Sequence, residues 1–274
     1  MAATRRGFTL IELLVVISII VVLLALLTPA LDRAIYQAEL AVCGANLHTV
    51  SAGALSYALS NKRRYPYRPM DGRQQWMTTQ LTVNLGTFGN GDDRPVLRRA
   101  LGPLNGPLNC PLTGRIDIDS PTTNSTNELF YIYAPYNVWF GYRFKNETHG
   151  MLKMGDRFES LSNEFEVLAG DMDITDTGFG LGTHPDKADV WVNDVKDSAA
   201  NPWTGGGFLG AAARVSYSWW GGALKRGPVD LNFTYQDGSV RRYNDVEPSD
   251  PDFEVAAAFY DGSAPTRQNR LPMR

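Results

Sequence analysis

The chain has 274 residues, enough for one large domain or two modest ones at about 150 residues per domain. Hydrophobic residues make up 43% and charged residues 20%, which excludes wholesale disorder. A net charge of -3 removes any global electrostatic case for nucleic-acid binding, and two cysteines with three histidines exclude a Cys-rich zinc module or a disulfide-dense scaffold.

The averages hide an asymmetry at the N-terminus. Residues 8–27 read FTLIELLVVISIIVVLLALL, with Glu12 as the single charge. As a helix this run of about 20 residues spans about 30 Å, the thickness of a bilayer core. Arg5 and Arg6 precede it and no acidic residue comes before Glu12. Positive flanks stay cytoplasmic, so the N-terminus should face inward and the rest of the chain outward. A cleavable secretory signal is the alternative, but its apolar stretch would be shorter, about 7–15 residues.

Helical periodicity continues past Pro29 through Ala34, Ile35, Ala38, Leu47, Val50, Ala54, Ala58 and Leu59. The pattern predicts one helix over 8–60, apolar on all sides in its first half and amphipathic in its second. Pro29 should kink or loosen it, because proline brings no N–H. Lys62, Arg63, Arg64 and then Pro66 should end it. An exported remainder would sit in an oxidising compartment, where a Cys43–Cys110 bond is permitted. Two unbonded buried cysteines are the alternative, and spacing does not decide between them.

Beyond the helix, Leu231–Tyr235 and Ser239–Tyr243 flank Asp237-Gly238, which predicts a hairpin with a two-residue turn. Residues 130–133, 136–144, 165–169 and 214–220 are strand-like. Residues 86–95, 113–127, 171–189 and 193–210 read as loops. The expected architecture is α+β: a long N-terminal helix packed on a C-terminal antiparallel sheet with long loops.

Few residues carry chemistry. Gly205 to Gly210 fits a G-x-G-x-x-G pattern, but no strand precedes it, so a dinucleotide site is not expected. Asp171, Asp173 and Asp176 form one acidic segment, and Asp245, Glu247, Asp250 and Asp252 form another. Either has the oxygen donors of a Ca²⁺ loop, but neither has EF-hand spacing, and solvated acidic loops are the favoured reading. His184 lies near Asp186 and Asp189, and sequons begin at Asn124, Asn146 and Asn232. No G-x-S-x-G, HExxH or Walker motif occurs, so no reaction is specified and no enzyme is expected.

The run Arg5-Arg6-Gly7-Phe8-Thr9-Leu10-Ile11-Glu12 resembles the prepilin signature of type IV pilins and type II secretion pseudopilins. That resemblance implies cleavage between Gly7 and Phe8 by a prepilin peptidase and N-methylation of the new Phe8 amine. It implies docking of Glu12 against the Phe8 ammonium of a neighbouring subunit. The implied partners are that peptidase, other pilin or pseudopilin subunits, an inner-membrane assembly platform and the membrane itself, without nucleic acid. The segments around Cys43 and Cys110 and the Asp237-Gly238 hairpin are also similar to prepilin-type proteins of planctomycete-like bacteria, although Gly227 stands where that group carries a histidine. The implied domains are a leader over 1–7, a helix over 8–60 and an extracytoplasmic head over 61–274. The implied role is a filament subunit; a membrane-tethered binding protein that uses the same anchor is the alternative.

Overall fold

The computed structural model describes residues 8–68, 80–85, 89–113, 118–119, 131–141, 151–160, 163–171, 173–176, 179–182, 208–209, 216–217, 229–247, 250, 252–260 and 263–272. It is α+β, with a long N-terminal helix and a C-terminal four-stranded antiparallel sheet. The chain divides into two compact units, Met1–Ala41 and Val42–Arg274.

Helix α1 spans Leu10–Ser60. In the first unit its apolar side chains are exposed, from Leu10 through Ile35. It continues through Pro29, where a kink is expected. One proline removes one N–H from a long ladder, and beside it the Thr28 hydroxyl donates to Leu24 O at 2.8 Å.

In the second unit α1 becomes amphipathic. Cys43, Leu47, Val50, Ala54 and Ala58 are buried at helical spacing. The helix ends where Arg63 N–H reaches back to Ala58 O at 2.8 Å, with Lys62 in the left-handed region at φ 55°. That is the geometry of a Schellman stop, with lysine where glycine is usual.

The remaining elements follow in chain order. Strands β1 (Gln80–Leu85) and β2 (Gly89–Asp92) precede helix α2 (Arg94–Leu101), and a 3₁₀ turn follows at Pro111–Thr113. Then come β3 (Tyr131–Tyr133), β4 (Tyr136–Val138), β5 (Phe158–Ser160), β6 (Asn163–Phe165), β7 (Val167–Asp171), β8 (Asp173–Asp176) and β9 (Phe179–Gly182). Two-residue strands β10 (Phe208–Leu209) and β11 (Ser216–Tyr217) precede β12 (Val229–Tyr235), β13 (Val240–Val246), β14 (Phe253–Tyr260) and β15 (Ser263–Pro272).

Among the described residues these strands form four sheets. The central one has the order β13-β12-β7-β4 and is antiparallel throughout. A second has the order β10-β3-β1-β2, in which β10 and β3 run parallel. A third has the order β11-β9-β8-β15-β14, and β5 with β6 makes a ribbon.

Several loop expectations are corrected. Residues 86–95 contain β2 and the start of α2, and residues 171–189 contain β8 and β9. Their Gly and Asp content suits turns, but pairing with β1 and β15 overrides that local preference. The expected 136–144 strand is regular only over Tyr136–Val138. His184, Asp186, Asp189, Asn124, Asn146 and most of the 205–210 glycine pattern lie outside the described residues.

The predicted hairpin forms, with a different turn. Gly238 N–H donates to Tyr235 O and Tyr235 N–H donates to Ser239 O, both at 3.0 Å. The loop is therefore three residues, Gln236 to Gly238. Gly238 takes φ 81°, the left-handed step such loops need before the return strand.

The core of the second unit lies between α1 and the central sheet. Tyr136, Val138, Trp139, Phe140, Leu168 and Phe233 are fully buried. The Tyr136 hydroxyl is 3.5 Å from Cys43 O and 3.3 Å from Asn109 O. Phe233 pairs across from Gly170, where a Cβ would overlap its ring. Trp139, Tyr243 and Phe253 surround the same ring at centroid distances of 6.4, 6.0 and 6.3 Å.

At Gly53 helix α1 meets α2: a Cβ there would lie 2.7 Å from Ala100 O. A fully buried ion pair fixes the start of α2. Arg68 Nε and Nη2 each lie 2.7 Å from Asp93 Oδ2, and Nη1 donates to Val138 O at 2.6 Å.

Candidate processing and assembly site

The N-terminal site is built by the first turn of α1. Four N–H groups at a helix start lack helical partners. Thr9 precedes the first helical residue and its Oγ1 accepts from Glu12 N–H at 3.2 Å. Glu12 Oε2 in turn accepts from Thr9 N–H and from the Thr9 hydroxyl, both at 2.8 Å. This reciprocal pair is a capping box. The spacing Thr9-x-x-Glu12 is its sequence signature, and the intermolecular reading of Glu12 passes over it. Within one chain the carboxylate therefore already has a role: it closes its own helix end.

Phe8 stands just outside the helix, 71% exposed, and Gly7 lies outside the described residues. Cleavage between them would leave the capping box whole, because both of its members lie downstream. The helix that follows is long and apolar enough to cross a membrane, by length and composition.

Cys43 and Cys110 are bonded, with Cα atoms 5.2 Å apart and a sequence separation of 67. Cys43 is 0% exposed and Cys110 1%. The neighbouring Asn46 Nδ2 donates to Asn109 O at 2.5 Å, so the helix holds this segment by a side chain as well as by sulfur.

The first acidic segment is divided between two sheets. Asp171 is buried on β7, where its Oδ2 accepts from Asn232 N–H at 2.5 Å and from Asn232 Nδ2 at 2.9 Å. Asp173 and Asp176 belong to β8, in a different sheet. Asp245 takes φ 55° and donates its N–H to Asp230 Oδ1, and Asp250 Oδ1 accepts from Asp252 N–H. Among the described residues no three His, Cys, Asp or Glu side chains come together to hold a metal ion.

Other carboxylates are structural. Burial pushes the Asp119 carboxyl up, but the Arg98 guanidinium and the N–H groups of Asn105 and Leu104 outweigh it and hold it below the ordinary range. Asp237 is also held low, by hydrogen bonds from Ser239. Burial pushes the Tyr65, Tyr136 and Tyr235 hydroxyls up, so all three stay neutral.

Residues 3–28 match the family model for the prokaryotic N-terminal methylation motif. The chain thus carries a prepilin-type methylation motif at the head of a long apolar helix, which supports the type IV pilin and pseudopilin family. No curated protein and no solved structure matches the chain.

Proposed function

We propose that the chain is a structural, non-enzymatic subunit of a type IV pilus-like or type II secretion pseudopilus filament. The observation that carries this reading is the methylation motif at residues 3–28, set on a helix whose apolar side chains are exposed. A prepilin peptidase removes residues 1–7, and the Phe8 amine is methylated. The helix over 8–60 is the anchor and assembly element, and residues 61–274 are the extracytoplasmic head.

Before assembly the subunit lies in the cytoplasmic membrane with its N-terminus inward, as Arg5 and Arg6 favour. On assembly Glu12 meets the Phe8 ammonium of a neighbour. A carboxylate and a cation that are each costly in an apolar setting then neutralise each other. Glu12 therefore has two alternative states, capping Thr9 in the free subunit and also binding the ammonium in the filament.

The test is mass spectrometry of the mature protein purified from membranes. An N-terminus at Phe8 carrying one methyl group is expected. An N-terminus at or beyond Ala30 would identify a secretory signal instead and overturn the reading.

A further inference from the structure

Just past α1 the backbone takes two left-handed steps in succession, Lys62 at φ 55° and Arg63 at φ 62°. Neither is glycine, so each takes a conformation that L side chains rarely adopt. Lys62, Arg63 and Arg64 are exposed. Arg64 bridges to Lys153, also exposed, and Met154 N–H bonds Arg63 O at 2.8 Å. None of these four cations forms an ion pair among the described residues. The acids beside them are engaged: Asp156 Oδ2 accepts from Leu152 and Lys153 N–H, and Asp237 Oδ1 accepts from Ser239 N–H.

The position of this cluster is fixed by Gln236 in the β12–β13 loop. Its Oε1 accepts from Gly155 N–H at 2.7 Å and faces the Tyr65 hydroxyl at 3.3 Å, and its Nε2 donates to Asp156 O. The cations therefore lie at the loop end of the β12–β13 hairpin. Strand β13 then runs seven residues away from that end, about 20 Å at about 3.3 Å per residue. Directly after it come Glu247 and Asp252, both exposed, with Asp245 and Asp250 beside them.

We infer that the second unit is electrically polar along β13 and that its partner is a second copy of this chain, the cationic end of one copy meeting the acidic end of the next. The two surfaces differ, so the contact is heterologous and does not close on itself, which is the property a linear assembly requires. Exposed cations without an ion pair among the described residues at one end, and exposed carboxylates at the other, are complementary in charge. This rests on the filament reading above.

The test uses the full chain in membranes, as an equal mixture of isotopically light and heavy copies, treated with a zero-length carboxyl-to-amine crosslinker. The expected result is mixed-isotope adducts joining Lys62 or Lys153 to residues 245–252, lost at 1 M salt where the screening length falls to about 3 Å. Lys62→Glu/Arg63→Glu alone, or Glu247→Lys/Asp252→Lys alone, should lose self-assembly, while mixing the two variants should restore co-assembly. Light–heavy adducts that avoid these residues, or reversal variants that assemble like wild type, would overturn the inference. An Ile17→Cys chain separates the two readings. If its helices crosslink while head adducts are missing, the polar contact is wrong and the filament reading stands. If neither forms, the filament reading fails.

Discussion

Replacing both cysteines, Cys43→Ala/Cys110→Ala, removes a covalent tie between α1 and the segment after α2. Alanine avoids burying an unpaired hydroxyl in a site that is fully enclosed. Chain-entropy reasoning sets the magnitude. A closed loop of 67 residues restricts the unfolded chain by about 15 cal/mol/K, or about 4 kcal/mol at 25 °C. For a unit of this size each kcal/mol moves the thermal midpoint by about 2–4 °C. The variant should therefore melt about 8–16 °C lower, with a native-like near-ultraviolet spectrum from Trp139 at low temperature. The assay is thermal unfolding of the full chain in detergent, oxidised and reduced, beside the variant. Reduced wild type and variant should coincide. A midpoint within about 2 °C of the oxidised wild type would refute the reasoning, as would free-thiol labelling of both cysteines in the exported protein.

Arg68→Met removes the guanidinium that bonds buried Asp93 and should cost about 3–5 kcal/mol in urea titrations, whereas Arg68→Met/Asp93→Asn should recover part of that loss. Asp119 has a folded value below its unfolded one, so its contribution is present above about pH 4 and fades as pH falls through the folded value. Asp119→Asn should therefore lower stability at pH 7 and flatten the acid limb of a pH–stability curve. Gly53→Val should destabilise the second unit, because a Cβ would lie 2.7 Å from Ala100 O and 2.8 Å from Leu101 Cδ2, and a lower thermal midpoint would report it. Glu12→Val should still be cleaved after Gly7 yet fail to co-assemble with wild type in crosslinking, and wild-type assembly of that variant would overturn the charge-pair mechanism.

Helix α1 was legible because its signal is long: about 20 apolar residues followed by regular spacing leave no competing structure. Its stop was legible too, although the use of Lys62 where glycine is usual was not. Asp237-Gly238 announced a hairpin, but loop length depends on which carbonyl the Tyr235 N–H reaches, here that of Ser239, and composition is silent on that. Strands β14 and β15 were missed. The FEVAAAFY stretch of β14 is alanine-rich and no more strand-like than helical, and its state is set by pairing with β15. Helix α2 carried a readable start, with Pro95 just inside it, but the Gly- and Asp-rich approach masked it. At the N-terminal site the motif was plain in the sequence, whereas the capping box was visible in Thr9-x-x-Glu12 and went unread.

The Cys43–Cys110 bond also governs how the protein would carry load. A pull arriving along α1 from its N-terminal side reaches Cys43 before the buried positions Leu47, Val50, Ala54 and Ala58. Without sulfur that pull would peel the helix from the sheet one turn at a time. With it, tension crosses directly to Cys110, and the intervening chain, a sequence separation of 67, is held out of the extensible path. At about 3.5 Å per residue this withholds roughly 230 Å of contour length. The Arg68–Asp93 pair lies inside that closed loop and is spared the load, which passes instead to the chain beyond Cys110.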